Sequence, residues 1–474
     1  MKNVKFLFLV IIVTTLHLTL TAQHNIKIKI DGLKDTTLIL GHHFNQKMYV
    51  NDTININSKG EGFFAGKDLL PQGLYVMFLP DKTYFDVLIG SDQDFSVNTK
   101  STDLLNQLII NGSVESKNFC EYQKFLSNKQ ATAQKTQEKL ELIKSNPDST
   151  KILQDQLQNL STEVTTYWNK AIANNPGTFF ELFLKAIKEV EVPDFKAENG
   201  VANPDSVIQW KRYYYYKEHY FDNMNLTDGR LLRTPFFANK VDQFFTKTLF
   251  QIPDTLTHES IKLIEKVKSN KEMFQFILQY LFNMANESKL MGMDEMTLEL
   301  GEKYYLSGEA PWADTTFIKS LSERVEKIKP NLIGKIAPDI KLQSNTGEFY
   351  RLSELNATYT ILVFWEPSCG HCQKELPKLH DEVFKNYKDK GIKVFAVYTQ
   401  LEKELWEKFI TEHNLTDFIN VYDPYNQSRF RDLYDIYSTP VIYILDRNKK
   451  IVAKRIGVEN IAGFLDFEIK NGRL

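Results

Sequence analysis

The spacing of hydrophobic residues changes twice along the chain and divides it into three regions. In residues 25–112 apolar and polar side chains alternate, with Ile26, Ile28 and Ile30 separated by lysines. Alternation with a period of two is typical of strands that bury one face. Short apolar runs follow one another between glycine-containing turn sequences. We therefore predict a compact, antiparallel, β-rich domain in residues 23–114.

The second region, residues 115–333, has the three- and four-residue spacing of amphipathic helices. No fixed-period repeat is visible, so we predict an α-helical middle domain and not a solenoid. Six segments carry this spacing most clearly: Lys151–Ala173, Pro204–Tyr220, Phe236–Phe250, His258–Lys268, Lys271–Asn286 and Thr315–Lys329.

In the third region, residues 334–474, strand-like runs alternate with helical segments. The runs Tyr359–Trp365 and Ile392–Tyr398 are almost entirely apolar, and Glu375–Tyr387 has one apolar helical face. The predicted order is β-β-β-α-β-α-α-β-β-α, which is typical of an α/β domain. The predicted fold class is therefore multi-domain, with an N-terminal all-β domain, an α-helical middle domain and a C-terminal α/β domain.

The first 22 residues have the pattern of a secretory signal peptide. Lys2 and Lys5 precede the unbroken apolar run Phe6–Val13. A helix that spans a membrane needs about 20 mostly apolar residues, so this run is short for a span and typical of a signal peptide. We expect cleavage after Ala22 and export to the periplasm or cell envelope. The alternative is an uncleaved N-terminal anchor.

Composition and charge exclude several classes of protein. The 474 residues include 58 Lys and Arg against 60 Asp and Glu, so the net charge of −2 provides no bulk positive field to bind nucleic acid. With 42% hydrophobic and 25% charged residues, the chain is neither wholly disordered nor a polytopic membrane protein. Three cysteines are too few for a disulfide-stapled scaffold.

Two of these cysteines, Cys369 and Cys372, are separated by two residues where a strand-like run gives way to a helix. At a helix start the unpaired N–H groups and the helix dipole lower a cysteine pKa from about 8.5. The resulting thiolate is the species that attacks a disulfide. We predict that Cys369 attacks, that the more buried Cys372 resolves the mixed disulfide, and that the two form a redox-active disulfide. His371 adds positive charge that favours the Cys369 thiolate.

Other interpretations of the cysteines fit the pattern less well. A zinc site would need two further ligands at paired spacing, and no second CxxC or HxxxH follows, so no metal is predicted. A purely structural disulfide across so short a loop would remove little entropy from the unfolded chain. The third cysteine, Cys120, stands alone on a predicted helix, and we expect it to act as a small buried apolar residue.

The segment Phe364–Cys372, followed by Glu375-Leu376-Pro377, resembles the active-site segment of thioredoxin-fold proteins. The subgroup it resembles is the exported thiol–disulfide oxidoreductases related to ResA and TlpA, which share ancestry with the AhpC/TSA peroxiredoxin class. The resemblance covers residues 334–474 and implies a thioredoxin-like fold for that region. It also implies a cis-proline loop at Ser438-Thr439-Pro440 beside the dithiol, where the backbone of Thr439 pairs with the substrate chain.

The resemblance implies modulating or substrate-binding roles for five residues: Trp365, Glu366, His371, Thr439 and Pro440. Val363 stands where thioredoxins place a buried carboxylate, which leaves the proton acceptor of Cys372 open. Glu366 is one candidate, and the alternative is that it is a solvent-facing loop acid. The β-rich region and residues 219–235 resemble companion domains of bacterial envelope proteins, the second of unknown function, and neither names a ligand.

Together these features predict an exported thiol–disulfide oxidoreductase that exchanges disulfides with protein substrates. The expected partners are protein thiols and disulfides and a membrane-bound electron donor or acceptor. No cofactor beyond the Cys369–Cys372 disulfide is expected, and the direction of electron flow and homo-oligomer formation stay open. The alternative is an envelope binding or scaffold protein whose thioredoxin-like domain is redox-sensing or inert. The peroxiredoxin pattern P-x-x-x-[TS]-x-x-C is absent around Cys369, which argues against a peroxidase.

Overall fold

The computed structural model describes residues 23–142 and 147–471. The predicted signal peptide, residues 1–22, lies outside the described residues. The chain divides into two compact units, Met1–Thr248 and Leu249–Leu474, which we describe separately. The boundary falls inside the helical region, so both units contain helices.

Among the described residues of the first unit, eight strands form two four-stranded sheets. The strands are β1 (His24–Asp31), β2 (Thr36–Phe44), β3 (Lys47–Ile56), β4 (Glu61–Gly66), β5 (Gly73–Phe78), β6 (Tyr84–Ile89), β7 (Asp94–Lys100) and β8 (Ile109–Asn111). The sheet orders are β4-β1-β7-β8 and β3-β2-β5-β6, and β1 pairs in parallel with β7. One buried cluster contains Ile26, Ile28, Leu38 and Val87 from both sheets. The alternating residues thus meet in a shared core, and a β-rich N-terminal region is confirmed.

The described helices of the first unit follow these strands. They are α1 (Val114–Leu142), α2 (Pro147–Asn174), α3 (Phe179–Ile187), α4 (Pro204–His219) and α5 (Phe237–Gln243), with a π-helical turn at Phe244–Thr248. Glu115 on α1 is buried, and its carboxylate accepts hydrogen bonds from the N–H groups of Phe179 and Phe180 at 2.8 and 3.2 Å. A carboxylate at a helix N-terminus satisfies unpaired donors and complements the helix dipole. This contact therefore ties α3 to α1.

The second unit opens with the helices α6 (Pro253–Val267), α7 (Lys271–Glu287), α8 (Met293–Leu300) and α9 (Thr315–Ile328). Polar side chains begin two of them: Asn270 accepts the N–H of Met273 at 3.1 Å, and Asp314 accepts the N–H of Phe317 at 2.8 Å. Such N-cap side chains accept hydrogen bonds from N–H groups of the first turn that have no carbonyl partner within the helix. The predicted helical middle region is confirmed, and α8 is a helix that the sequence did not single out. No helix in the described part of the chain is long and apolar enough to cross a membrane.

The C-terminal region of this unit is an α/β domain. Its elements are β9 (Lys341–Ser344), β10 (Phe349–Arg351), β11 (Tyr359–Trp365), α10 (Gly370–Lys378), α11 (Lys385–Tyr387), β12 (Ile392–Tyr398), α12 (Lys403–Glu412), β13 (Ile419–Tyr422), α13 (Phe430–Leu433), β14 (Val441–Asp446), β15 (Ile451–Lys454) and α14 (Val458–Lys470). A π-helical turn at Leu379–Phe384 joins α10 to α11. The strands form one mixed sheet in the order β10-β9-β13-β12-β11-β14-β15.

The predicted order of this domain is wrong at one element. The sequence predicted two consecutive helices between the strands now seen as β12 and β14, and the structure places β13 between α12 and α13. β13 has four residues and pairs in parallel with β12. Four residues are too few for periodicity to separate a strand from a loop, and only the pairing with β12 reveals it.

Strand β11 is an inner strand of the C-terminal sheet, between β12 and β14. Every residue from Tyr359 to Trp365 is at most 2% exposed. Alternate side chains face two different clusters, with Val363 in the cluster that holds Cys372 and Phe364 in the cluster on the opposite face. A strand between two neighbours and two covered faces reads as a continuous apolar run, which explains why its limits were predicted correctly.

The outer strand of the same sheet, β15, is held by an ion pair to one of the helices that begin this unit. The ammonium of Lys454, at the end of β15, forms an ion pair with Asp294 of α8 and donates to the carbonyl oxygen of Asn331 at 2.5 Å. The side chains of the pair are 3% and 7% exposed. The backbone of β15 pairs instead with the segment after α9: the N–H of Gly334 donates to the carbonyl oxygen of Ile451, and the N–H of Ile451 donates to that of Lys335, each at 2.8 Å. The helices are therefore part of the sheet's packing.

Replacing Asp294 with alanine should destabilise this edge by about 3–5 kcal/mol, because Lys454 would keep a buried charge without a partner. The measurement is native-state hydrogen exchange of the β14 and β15 amides in the full chain. The control is Glu407→Ala, which removes the exposed Lys403–Glu407 pair and should change stability by about 0–1 kcal/mol.

A double replacement separates the charge from the packing. Asp294→Leu combined with Lys454→Met should recover most of the lost protection, because apolar residues of similar volume replace a buried ion pair at little net cost. Unchanged exchange in the Asp294→Ala variant would contradict the buried pairing.

Candidate active site

Cys369 lies between the end of strand β11 and the start of helix α10. β11 ends at Trp365, a short turn follows, and Cys369 is the N-cap residue of α10. The N–H of Cys369 donates to the carbonyl oxygen of Glu366 at 3.3 Å and closes the turn. The side chain of Cys369 is partly exposed. The sequence prediction of a cysteine at a helix start therefore matches the geometry, and the sulfur lies at the positive end of α10.

The pKa of Cys369 is lower than its ordinary value. Partial burial acts in the opposite direction, but contacts with the Thr439 side chain, with the backbone N–H groups of Cys372 and His371, and with the Cys372 thiol outweigh it. The Cys369 side chain makes no N-cap hydrogen bond. The N–H groups of α10 therefore lower the Cys369 pKa mainly through their partial positive charge. This thiol thus ionises more readily than an isolated cysteine.

Cys372, one turn further along α10, has the opposite shift. Its side chain is completely buried in the cluster that contains Val363, Trp365 and Leu376. Burial raises its pKa to about 12, and a hydrogen bond with the backbone of Glu366 opposes this only in part. Cys372 is therefore a thiol at neutral pH, and it must lose its proton before it can attack a disulfide.

The loop before β14 brings Thr439 against both sulfurs. The Thr439–Pro440 peptide bond is cis, as the resemblance predicted. The thiol of Cys369 donates to the carbonyl oxygen of Thr439 at 3.2 Å, and the Thr439 side chain also contacts Cys372. The Thr439 hydroxyl donates to Oε1 of Glu366 at 3.2 Å. One residue therefore links the two sulfurs and a carboxylate.

Glu366 is hydrogen-bonded through both carboxylate oxygens. Besides the Thr439 hydroxyl, it accepts a hydrogen bond at 2.6 Å from Nε2 of Gln400. The side chain is partly buried, so the geometry differs from that of a solvent-facing loop acid. Gln400 was not singled out by the sequence. Its position could have identified it, because it lies two residues after β12, and β11 and β12 are parallel and end at the same edge of the sheet.

The other predicted residues occupy different environments. His371 is exposed on the first turn of α10, and its backbone N–H is the group that contacts Cys369. Trp365 is fully buried in the cluster that holds Cys372, with its ring centroid 5.0 Å from that of Phe409. Its burial favours the modulating part of its predicted role, through packing beneath Cys372. Val363 is also fully buried and offers no proton acceptor.

Two further expectations concern metals and the third cysteine. Within residues 23–142 and 147–471, no group of three or more His, Cys, Asp or Glu side chains is placed to hold a metal ion. Cys120 belongs to the first unit, where its buried thiol donates to the carbonyl oxygen of Leu108 at 3.5 Å. Burial raises the pKa of Cys120, which makes it a poor nucleophile.

Comparison with known proteins assigns the C-terminal region to a family. The AhpC/TSA family profile matches residues 333–454, and the profile of a domain of unknown function, DUF5106, matches residues 201–331. Over 137 residues the chain is 30% identical to the thiol-disulfide oxidoreductase ResA of Geobacillus kaustophilus, an alignment that covers 28% of this chain and 76% of that protein. The chain belongs to the thioredoxin-like thiol–disulfide oxidoreductases of the AhpC/TSA family.

Two solved structures illustrate the similarity at the level of coordinates. A domain of a possible thiol-disulfide isomerase from Cytophaga hutchinsonii is 45% identical, covers 30% of this chain and 96% of that chain, and has a TM-score of 0.29. A thioredoxin-like protein from Bacteroides caccae is 22% identical, covers 59% of this chain and 99% of that chain, and has a TM-score of 0.49. The predicted enzyme class, thiol–disulfide oxidoreductase, is confirmed by the ResA relatives.

In this oxidoreductase the three thiols should react with iodoacetamide in a fixed order, because alkylation requires the thiolate. Cys369 should be modified at a pH below the ordinary pKa of a cysteine. Cys372 and Cys120 should stay unmodified in that range, because burial raises both of their pKa values. The measurement is peptide mass mapping of the fully reduced chain after brief alkylation across a pH series. Cys120 is the internal control, and equal rates at Cys369 and Cys372 would contradict the two opposite shifts.

Proposed function

We propose that the chain is an exported thiol–disulfide oxidoreductase that exchanges disulfides with protein substrates through Cys369 and Cys372. One observation carries this proposal: a partly exposed thiol of lowered pKa and a buried thiol of raised pKa lie on one helical turn. The difference supports an order of reaction, since Cys369 is accessible and ionises more readily than an ordinary cysteine, whereas Cys372 is buried and keeps its proton.

In the first step the thiolate of Cys369 attacks one sulfur of a substrate disulfide. A bond forms between Cys369 Sγ and that sulfur, and the substrate S–S bond breaks. The other substrate sulfur leaves as a thiolate and takes a proton from solvent. The carbonyl oxygen of Thr439 lies 3.2 Å from Cys369 Sγ, so a substrate that reaches this sulfur lies beside the cis-proline loop.

In the second step Cys372 resolves the mixed disulfide. Its thiol loses a proton, and the thiolate attacks Cys369 Sγ, which forms the Cys369–Cys372 disulfide and releases the second substrate sulfur as a thiolate. Two electrons have then passed from the enzyme dithiol to the substrate. A dithiol donor restores the reduced pair by the same exchange, and the reverse sequence with a disulfide acceptor would oxidise substrates.

The contacts of Thr439 support a route for the proton of Cys372. The Thr439 side chain touches the Cys372 sulfur, and its hydroxyl donates to Oε1 of Glu366. As Cys372 ionises, its proton moves to the hydroxyl oxygen while the hydroxyl proton moves to the carboxylate. Glu366 would thereby take the place of the carboxylate that the apolar Val363 does not supply.

The sequence and the family support the proposed export of the chain and its proposed partners. The apolar run at Phe6–Val13 supports export, and an oxidising compartment supplies protein disulfides as substrates. Turnover in such a compartment needs a supply or a sink of electrons, for which a membrane-bound donor or acceptor is the expected partner.

Replacing Cys369 with serine should reduce insulin-disulfide reduction to the rate of dithiothreitol alone, because serine cannot form the mixed disulfide. Cys372→Ser should also lose turnover but accumulate a covalent adduct with the substrate, detectable by intact mass. The control is Cys120→Ser, which should keep full activity. Insulin reduction by the Cys369→Ser variant above the rate of dithiothreitol alone would contradict the proposed role of Cys369. A wild-type chain that reduces no disulfide would favour the scaffold alternative.

Replacing Glu366 with glutamine should slow the resolving step by about 10²-fold, the usual contribution of a positioned acid–base group. The rate is measured as release of substrate from a preformed mixed disulfide on Cys369, followed across pH. Because hydroxide then replaces the carboxylate as base, the loss should shrink as pH rises. The control is Glu402→Gln, an exposed carboxylate after β12. A uniform loss at all pH values would assign Glu366 a positioning role only.

A further inference from the structure

The helices that begin the second unit lie at the same end of the sheet as the cysteine pair. β14 starts at Val441, which pairs with Phe364 near the end of β11. β15 runs antiparallel to β14, and its last residue, Lys454, pairs with Tyr443. Lys454 is the residue held by Asp294 of α8. The helical segment is therefore fixed beside the edge from which the chain enters the active site.

A cleft of about 530 Å³ opens between α7, α9 and the segment of residues 435–437. This volume lies within the range of pockets that bind small ligands or side chains. Phe282 and Leu321 are buried and Phe317 is half-buried, whereas Ser320 on the same wall is exposed. The cleft therefore has an apolar floor and an open polar rim.

Charged side chains hold the segment 435–437 in place. Asp435 is buried, and its Oδ2 accepts a hydrogen bond from Nη2 of Arg455 at 2.6 Å. Its Oδ1 lies 3.6 Å from Nε of Arg324, and Nη1 of Arg324 donates to Oδ1 of Asn286 at 2.7 Å. Charge-assisted hydrogen bonds of this kind are stronger than neutral ones. These contacts hold the walls of the cleft in place before binding. The entropy cost of ordering the walls around a bound side chain is therefore smaller.

Tyr437 joins this cleft to the reactive sulfur. It is 78% exposed, and its ring lies 5.1 Å from the Arg324 guanidinium. It precedes Thr439 by two residues, which span at most about 7 Å. The carbonyl oxygen of Thr439 is 3.2 Å from Cys369 Sγ. A polypeptide whose disulfide reaches Cys369 and whose chain runs along the segment 437–439 therefore passes within side-chain reach of Tyr437.

We propose that this cleft is a substrate subsite that binds an apolar side chain of an extended substrate polypeptide, a few residues from its disulfide. Tyr437 and Phe317 are then specificity-determining residues. The proposal rests on the proposed function, because the substrate is placed by the exchange at Cys369. The walls carry charges of both signs, Arg324 and Lys327 against Glu287, Glu323 and Asp435, so the apolar floor and not net charge selects the side chain.

The experiment compares three disulfides in single-turnover reduction by the fully reduced chain. Two are peptides that differ only in having leucine or serine at the positions two to four residues from the disulfide on either side, and the third is hydroxyethyl disulfide, which has no peptide chain. The variants are Tyr437→Ser, which removes one wall, and Ser320→Trp, which fills the cleft from an exposed position. Tyr425→Ser is the matched control, since Tyr425 is 67% exposed and lies outside the cleft.

Tyr437→Ser and Ser320→Trp should each lower the second-order rate constant for the leucine peptide by about 10-fold or more, the usual discrimination of an apolar pocket. The serine peptide and hydroxyethyl disulfide should react as with the wild type, and Tyr425→Ser should change none of the three rates. Equal losses for the leucine and serine peptides, or no loss for either, would overturn the subsite.

A binding measurement separates the subsite from the proposed function. The leucine peptide with both cysteines replaced by serine carries a fluorophore, and its affinity is followed by anisotropy without any redox step. Tyr437→Ser and Ser320→Trp should weaken this binding by a similar factor. A chain that reduces no disulfide but binds this peptide at the cleft would refute the proposed function alone, whereas undiminished binding in both variants would refute the subsite.

Discussion

The chemistry of this chain depends on where the fully buried strand β11 ends. Both faces of β11 are covered, and every residue of it is at most 2% exposed. After the buried strand β11, the backbone returns to the surface beyond Trp365, and helix α10 begins there. Cys369 lies on the solvent side and Cys372, one turn later, lies in the core. Burial raises the pKa of Cys372, whereas at Cys369 contacts with Thr439 and with the first turn of α10 outweigh partial burial, so two identical groups acquire opposite pKa shifts.

Burial of Cys372 has a second consequence for the reaction. A thiol that is sealed from solvent meets few external disulfides, so its useful partner is the adjacent Cys369 sulfur. Holding the two groups on one helical turn converts the resolving step into an intramolecular reaction, which raises the effective concentration of the nucleophile. The same burial removes water as a proton acceptor. In the proposed mechanism the contacts of Thr439 with both sulfurs and with Glu366 matter for that reason, since they would carry the proton of Cys372 out of the core.

The sequence predicted those features that periodicity and local chemistry determine. β11 and β12 were delimited correctly because a strand covered on both faces is a continuous apolar run. The helix start at Cys369 and the cis bond at Pro440 followed from a motif. The sequence missed features that depend on pairing between distant segments: β13 is recognisable only through β12, and Gln400 only through the shared edge of two parallel strands. Trp365 shows the same limit, because a motif position does not tell how deeply a side chain is buried.

The contacts at the edge of the sheet make the preceding helices a structural part of the oxidoreductase. The two family profiles meet between residues 331 and 333, yet the compact unit begins at Leu249. An ammonium that is 3% exposed loses its hydration, which only a partner inside the fold replaces, and Asp294 of α8 is that partner. Arg324 of α9 and Arg455 share Asp435 in the same way. Separating the helices from the sheet would leave these charged side chains without their partners. A boundary at residue 332 therefore separates the two family profiles but lies within the folded unit that carries the cysteine pair.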